Sequence, residues 1–270
     1  MPYPPHSLYE LCVQRPDILV PWLESLHGHS PKVLHEDFCG TASICRTWAA
    51  RDDNRIAVGL DLDPETIDRA KAEASHLPPA LAARIHLHRG DALDAPQLLI
   101  EEPRADVTFV GNFSIGEIHT REGLVQYLRG ARARLSPSGI FVCDTYGGAA
   151  AWRTGHVTRT FIAADGAIVR YTWEQRSADP FTACVVNALH FSVERAGEIV
   201  LQLPDAFVYH WRLWSFAELR DALHECGYSH IEITGAIDNE LAPTTPNPAN
   251  PTPSAAPDEG LQIACMVAHV

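Results

Sequence analysis

Positive charge, long apolar runs and an N-terminal leader pattern are all scarce or missing in this sequence. The 21 Lys and Arg residues face 34 Asp and Glu residues, and the net charge is −13 without any basic cluster. Such a chain repels phosphate-rich partners, so we predict no nucleic-acid binding. No stretch reaches the roughly 18 apolar residues of a membrane span. The start, MPYPPHSLYE, lacks the basic and then apolar run of a signal peptide. We therefore also predict no membrane association.

Paired cysteines are missing as well. The seven cysteines are odd in number, scattered, and never spaced as C-x-x-C. This pattern argues against a disulfide framework and against a zinc site, and it favours a reducing compartment. We expect a soluble, cytoplasmic protein without a bound metal. Its 270 residues, 46% of them hydrophobic, suffice for one large α/β domain, with or without a sizeable insertion.

The third absence concerns glycine in the stretch VLHEDFCGTASICRTW, residues 33–48. An apolar strand runs into acids, a turn and a helix-like segment, as in a dinucleotide-binding fold. That fold would carry G-x-G-x-x-G here, because a pyrophosphate must approach the backbone at a helix N-terminus. Gly40 stands alone, with Phe38 and Ala42 on either side, and Glu36 precedes it. The loop therefore lacks the glycine pattern of a pyrophosphate-binding turn and carries acids beside its single glycine.

An alternation of apolar strands and helices follows that stretch. A helical segment broken at Pro16 and Pro21 precedes it, and Pro64 is expected at a helix start. Alternation of this kind predicts a parallel sheet with helices on both faces. The expected strands are 32–37, 55–62, 84–91, 105–113 and 139–146, and the expected helices are 42–50, 64–76, 95–102 and 121–135.

The alternation of strands and helices ends after Gly148. Strand-like runs cover residues 159–175, 181–194 and 198–214, and Asp165–Gly166 predicts a hairpin turn. We expect an antiparallel insertion here. Ser215 and Glu218 then form a capping-box pattern at the start of a helix that should stop at Gly227. Strands over 230–236 and 261–270 flank a loop, residues 243–257, with six prolines, which predicts disorder and no catalytic role.

The predicted organisation therefore has four parts. Residues 1–30 form an N-terminal helical segment, and 31–148 form the ligand-binding core. Residues 149–214 form the antiparallel insertion, a cap over the substrate. Residues 215–270 complete the core and include the Pro-rich loop 243–257.

Hydrogen-bonding side chains stand at four successive strand ends. Glu36, Asp61, Asp91 and Asn112 each follow an apolar strand. Ligands of open α/β sheets bind beyond the carboxyl ends of the strands, so these residues should meet at one edge. An acid at one strand end often only caps the next helix, but four successive ends form a stronger pattern. Asp61 is placed to accept both hydroxyls of a ribose, and Asp91 to accept an adenine amino group.

With these residues in view, the chain resembles the class I S-adenosylmethionine-dependent methyltransferases. EDFCGTA is similar to the first motif, AVGLDLD to the second, RGDAL to the adenine-contacting motif and DVTFVGNFS to the fourth. The resemblance covers about residues 30–146 and returns in WSFAELRDALHECGYSHIEI. It implies a Rossmann-like methyltransferase fold: a mostly parallel seven-stranded sheet with an antiparallel last strand. It also implies S-adenosylmethionine as cofactor, bound by Glu36, Phe38, Cys39, Gly40, Asp61, Leu62, Asp91, Ala92, Asn112 and Phe113.

S-adenosylmethionine has an ammonium, a sulfonium and a carboxylate but no phosphate, which suits an acidic loop with one glycine. Cys39 is interpreted as a small filler beside the cofactor. The acceptor is expected to be a small molecule, held by aromatic and polar residues of the insertion. Arg212 is either a clamp for a substrate carboxylate or a surface residue paired with an acid. The base candidates are His190 and His119, and the expected substrate-binding residues are Trp173, Glu174, Tyr209, Arg212 and Trp214.

Three alternatives stay open. An aminopropyltransferase would use the decarboxylated cofactor on the same fold, although its paired-acid pattern is missing. An NAD-dependent oxidoreductase is disfavoured by the missing G-x-G-x-x-G. A non-catalytic scaffold that binds S-adenosylhomocysteine, or a dimeric partner of another enzyme, also fits. The sequence leaves a homodimer open and does not identify the acceptor.

Overall fold

Two units make up the part of the chain that the computed structural model describes, residues 3–235 and 261–270. The larger unit is formed by residues 15–145, 215–235 and 264–270, and the smaller by residues 3–14, 146–214 and 261–263. The expected Pro-rich loop 243–257 lies outside the described residues. None of the helices in the described ranges has the length and apolar character needed to cross a membrane.

A seven-stranded sheet organises the larger unit, in the order β10-β11-β5-β4-β1-β2-β3. Strands β1 to β5 pair parallel with one another, and β10 pairs antiparallel with β11. This confirms the predicted fold class. The strands are β1 (Val33–Asp37), β2 (Ile56–Asp61), β3 (Ile85–Arg89), β4 (Ala105–Val110), β5 (Leu135–Gly147), β10 (His230–Gly235) and β11 (Gln262–His269).

Helices cover both faces of this sheet because alternate strand residues point to opposite sides. On one face, apolar residues of α2, α3 and α4 pack with Val107 and Val142. On the other, Phe141 contacts the rings of Tyr127 and Tyr228, and α7 packs against α6 and α8. The helices of this unit are α2 (Pro16–His27), α3 (Ser43–Ala50), α4 (Pro64–Ser75), α5 (Pro79–Ala82), α6 (Ala95–Leu98), α7 (Arg121–Arg134) and α8 (Phe216–Glu225).

Local sequence signals set most of these helix ends. Pro64 begins α4, and Ser215 with Glu218 forms the predicted capping box at the start of α8. Gly227 follows α8 with φ of 88°. The prediction for Pro21 was wrong, because α2 continues through it. Burial of Val20 and Leu23 in the core outweighs the one hydrogen bond that proline removes.

The smaller unit is a four-stranded antiparallel sheet, in the order β6-β7-β8-β9. Its strands are β6 (Gly155–Ile162), β7 (Ile168–Asp179), β8 (Cys184–Arg195) and β9 (Glu198–Arg212), and Asp165–Gly166 lies in the β6–β7 turn as predicted. Helix α1 (Pro5–Cys12) packs on this sheet through Leu8 and Cys12. The expected N-terminal segment 1–30 is therefore not one unit. Its first helix belongs to the antiparallel sheet and its second to the core, because the apolar faces of the two helices are buried in different clusters.

Candidate functional site

The carboxyl ends of the parallel strands lie side by side. In the strand register Asp37 is opposite Leu60, Asp61 is opposite Arg89, and Val110 is opposite Cys143. The segments that follow β1, β2, β3 and β4 therefore share one edge of the sheet. Ligands of open α/β sheets bind at this edge. It is the candidate site.

The loop after β1 keeps the backbone shape of a glycine-rich loop without its glycines. Phe38, Gly40 and Ala42 all have positive φ, at 60°, 55° and 59°. The two non-glycine residues stand where the G-x-G-x-G pattern has its outer glycines, and a left-handed conformation costs such residues roughly 1–2 kcal/mol each. Backbone strain of this kind concentrates at functional sites. A Cβ added to Gly40 would meet no atom of the described residues within 4 Å, so the backbone there is open to a ligand.

Glu36 links this loop to the start of α3. Its Oε2 accepts hydrogen bonds from the Cys45 backbone N–H at 3.1 Å and from the Cys45 thiol at 2.9 Å. Glu36 is 3% exposed. Burial raises the pKa of its carboxyl to about 8, although the two bonds from Cys45 and the charge of Arg46 act in the opposite direction. The strand-end acid is thus a buried helix cap whose charge state changes near neutral pH.

Asp61 joins the ends of β1 and β2. Its Oδ2 accepts the Gly40 backbone N–H at 2.7 Å, and its Oδ1 accepts that of Asp63 at 3.0 Å. The half-buried carboxyl has a raised pKa because of burial, opposed by these backbone hydrogen bonds. The next residue, Leu62, is 62% exposed. An acid followed by an exposed apolar side chain suits a ribose next to an adenine ring.

The segment after β3 contributes Asp91 and Ala92. Asp91 is exposed, and its Oδ1 accepts the Leu93 backbone N–H at 2.9 Å at the start of a short 3₁₀ turn. Ala92 is buried beside it. Both lie two or three residues beyond the end of β3, at the same edge as Asp61.

After β4, two successive residues adopt the left-handed conformation. Asn112 has φ of 55° and Phe113 of 62°. Their backbone N–H groups donate to the two carboxylate oxygens of Asp144, at 2.9 and 2.7 Å. Burial raises the pKa of Asp144 to about 7, opposed by these two bonds. Sequence reasoning quoted Asp144 within the fifth strand but gave it no role. Its signal was an acid inside the apolar run GIFVCD.

Cys39 behaves as the expected filler. It is 1% exposed, and its backbone N–H donates to the Leu60 carbonyl at 3.0 Å. A Cβ at Gly59 would lie 2.9 Å from the Cys39 sulfur, so glycine is needed there for close packing of the two strands. Burial raises the pKa of the thiol well above its ordinary value. A protonated, enclosed thiol is a poor nucleophile.

Asp37 is part of a buried network. Its Oδ2 accepts from Arg134 Nη2 at 2.5 Å and from the Tyr127 hydroxyl at 2.8 Å. Arg134 also contacts His35 Nδ1 at 3.1 Å, and burial lowers the pKa of His35 to about 4. The edge of the Tyr127 ring faces Phe38 at 6.1 Å between centroids. This network anchors the residue that directly precedes the loop.

The two base candidates differ in their surroundings. His119 is exposed and follows the 3₁₀ turn Ser114–Glu117, in the segment after β4. His190 lies in the antiparallel sheet, with Nε2 3.0 Å from Glu174 Oε2. Its Nδ1 accepts the Asp205 backbone N–H at 3.0 Å. Both ring nitrogens of His190 are thus engaged, which weighs against its use as a base.

Aromatic and charged residues of the insertion contact one another along β9 and β7. Tyr209 stacks on Trp211 at 4.6 Å between centroids, so both project from one side of β9. The Arg212 guanidinium lies 3.8 Å from the centroid of the Trp214 ring, and Trp214 is 1% exposed. Glu174 also accepts from Arg176 Nε at 2.8 Å. Trp214 is therefore packed inside the chain, and Arg212 is a stacked arginine, an arrangement that neither of its two expected roles included.

A hydrogen-bonded relay joins Tyr146, at the end of β5, to residues of the antiparallel sheet. The Tyr146 hydroxyl donates to Gln175 Oε1 at 2.9 Å, and Asn187 Nδ2 donates to the Tyr146 oxygen at 3.2 Å. Gln175 Nε2 donates to the carbonyls of Ala151 and Arg153. Trp173 lies edge-on to Tyr146 at 6.1 Å. Sequence reasoning missed this relay, because its members are separated in the chain and meet only in the strand register.

Comparison with solved structures identifies the architecture. The methyltransferase CcbJ of Streptomyces caelestis superimposes with a TM-score of 0.61 at 19% identity, over 94% of both chains. An S-adenosylmethionine-dependent methyltransferase of Clostridium acetobutylicum gives 0.63 at 13%, over 98% of this chain and 97% of that one. CalS10, an amino pentose methyltransferase of Micromonospora echinaspora solved with S-adenosylmethionine, gives 0.62 at 15%, over 94% and 89%.

These similarities extend over nearly the whole chain, including the antiparallel insertion. No protein-family model matches the sequence, and no curated protein is significantly similar to it. The chain has the fold of the class I S-adenosylmethionine-dependent methyltransferases.

Proposed function

We propose that the chain is an S-adenosylmethionine-dependent methyltransferase that acts on a small molecule. The observation that carries this proposal is the loop after β1. Phe38 and Ala42 hold left-handed backbone, a strain that concentrates at functional sites, and Gly40 donates its N–H to Asp61. Loop and acid together form a pocket edge for a ligand that combines a nucleoside with positive charge.

The donor set suits S-adenosylmethionine. We propose that Asp61 accepts the ribose hydroxyls, that Leu62 and Ala92 pack against the adenine, and that Asp91 accepts its amino group. In its ionised form Glu36 supplies negative charge beside the loop, where an ammonium is attracted and a phosphate is repelled. Phe38, Cys39, Gly40, Asn112 and Phe113 complete the proposed cofactor surface. When bound, S-adenosylmethionine supplies a methyl group that is already activated on a sulfonium.

The chain's own task is then alignment and exclusion of water. Holding two reactants in line contributes roughly 7–11 kcal/mol in favourable cases. A base is needed only where the acceptor arrives protonated. We assign that role to His119, which is exposed in the segment after β4, rather than to His190 with both ring nitrogens engaged. Trp173, Glu174, Tyr209 and Arg212 remain the proposed acceptor-binding residues of the insertion, whereas burial of Trp214 favours packing.

A transfer assay tests this proposal. Methyl-labelled S-adenosylmethionine is incubated with the protein and with pools of small amines, amino sugars, hydroxy acids and phenols. Amino sugars come first, because CalS10 is an amino pentose methyltransferase. We expect labelled product in at least one pool, loss of product with Asp61→Asn, and a lower kcat with His119→Gln. Cofactor binding without label transfer to any pool would favour a non-catalytic scaffold.

A further inference from the structure

The segment after β4 donates two successive backbone N–H groups to one carboxylate, that of Asp144. Asn112 and Phe113 are consecutive, neither is glycine, and both have left-handed backbone. They are the central pair of a turn that the Ser114 N–H closes on the Gly111 carbonyl at 3.1 Å. Turns of this shape favour Asn and Gly, so a phenylalanine at the second central position is strained. The two oxygens of Asp144 accept their N–H groups at 2.9 and 2.7 Å. Each oxygen therefore fixes one peptide, and the strained pair has a dedicated partner on β5.

Resting on the proposed function, we propose that Asp144 is a positioning residue for the cofactor site: in its ionised form it holds Asn112 and Phe113 in the backbone conformation that receives S-adenosylmethionine. The aspartate itself need not touch the cofactor. Protonation converts one of its oxygens to a hydroxyl and removes the charge that makes both oxygens strong acceptors. One of the two amides then loses its charged partner, and the segment loosens.

The pKa of the Asp144 carboxyl lies near neutral pH. Burial raises the pKa of its carboxyl to about 7. The titratable groups that interact with it are the thiols of Cys143 on β5 and Cys265 on β11, and burial raises the pKa of both thiols well above neutrality. They stay protonated between pH 6 and 8. Glu36 and Asp61, at the neighbouring strand ends, also have raised pKa values and must be separated experimentally.

Asp106 offers a matched control at the opposite end of β4. Its Oδ2 also accepts two successive backbone N–H groups, those of Lys32 and Val33, at 2.8 and 3.1 Å. It lies at the start of the parallel strands, away from their carboxyl ends. Its Oδ1 accepts the Ser136 hydroxyl at 3.0 Å. Asp144→Asn and Asp106→Asn therefore both neutralise an aspartate that accepts two successive backbone N–H groups, but only the first lies at the proposed site.

The test measures S-adenosylmethionine affinity by calorimetry at pH 6 and pH 8 for the wild type and both variants. We expect wild-type affinity to rise several-fold between the two pH values. Asp144→Asn should bind about tenfold more weakly at pH 8, as for a lost charge-assisted hydrogen bond. Its affinity should change less with pH, while Asp106→Asn follows the wild type. Because each comparison uses the same ligand, titration of the ligand, Glu36 and Asp61 is common to all three proteins.

A measurement on the wild type covers the case in which Asp144→Asn does not fold. The amide signals of Asn112 and Phe113 should shift between pH 5.5 and 8.5, with a midpoint near neutrality, when observed by nuclear magnetic resonance. Constant signals would overturn the inference, as would a folded Asp144→Asn protein with wild-type affinity and pH dependence. Failure of the wild type to bind at either pH would instead refute the proposed function, and this inference with it.

Discussion

At the scale of single residues, the backbone conformation of the loop after β1 indicates a binding site more clearly than its residue types do. The sequence shows one glycine where the family pattern has three, yet Phe38 and Ala42 adopt the positive φ angles that glycine adopts without strain. Ala42 is buried in the core, so its methyl group contributes packing that glycine would lack. At Ala42, packing of the side chain offsets the strain of the left-handed backbone. This is why a motif search that requires glycines fails here although the geometry is retained.

Substitutions of Ala42 test this interpretation. Ala42→Gly removes the left-handed strain of roughly 1–2 kcal/mol and loses a buried methyl of about 0.8 kcal/mol, so we expect stability near that of the wild type and unchanged cofactor affinity. Ala42→Val places a β-branched side chain at the same φ and should lower both strongly. Thermal unfolding and calorimetric titration measure the two quantities. Equal effects of glycine and valine would show that the conformation at Ala42 does not matter.

At the scale of elements, the sequence predicted the strands and helices well and their partners less well. Alternation, Pro64, Ser215 with Glu218 and Gly227 are local signals, and each element they predict is present. The predicted helix break at Pro21 was wrong, because the burial of neighbouring residues is a tertiary effect that the local sequence does not show. The division of residues 1–30 between two clusters was invisible for the same reason. Glu36 and Asp61 could be proposed from the sequence because they stand at strand ends, whereas the proposed role of Asp144 depends on contacts with residues 31 and 32 positions away.

The hydrogen bonds of Tyr146 with Gln175 and Asn187 of the antiparallel sheet give a prediction about stability. Tyr146→Phe removes the hydroxyl that links Gln175 Oε1 to Asn187 Nδ2 and leaves both buried groups without that partner. We expect a loss of about 1–3 kcal/mol in stability. Tyr171→Phe removes the same atom from a buried tyrosine of the same sheet, whose ring contacts Phe191, and should cost less. Chemical denaturation compares the two. Equal losses would mean that the relay contributes nothing specific.

At the scale of the whole molecule, buried acids set the pH dependence of stability. Burial raises the pKa of Glu36 to about 8 and that of Asp144 to about 7, above the values expected in the unfolded chain. Between the ordinary pKa of a carboxyl, about 4, and its raised pKa in the folded state, the folded state binds more protons than the unfolded state. Stability therefore falls as pH rises over this range. His35, with its pKa lowered to about 4, has the opposite effect, but only below about pH 6.5.

We therefore expect the cofactor-free protein to lose about 2 kcal/mol of stability between pH 6.5 and 8. The apparent Tm should fall by several degrees over this interval. Glu36→Gln should flatten the fall, because its side chain keeps the size and a carbonyl acceptor but does not titrate. A Tm that rises from pH 6.5 to 8 in the wild type would contradict the assignment of Glu36 and Asp144 as buried acids.

The central claim is that the edge formed by the loop after β1 and by Asp61 binds S-adenosylmethionine, and calorimetric titration tests it most directly. Wild type and Asp61→Ala are titrated with S-adenosylmethionine, S-adenosylhomocysteine and NAD at one pH. The account predicts that the wild type binds the first two and not NAD, and that a folded Asp61→Ala protein binds them about ten- to hundredfold more weakly. Binding of NAD alone, or equal affinities in the two proteins, would contradict it.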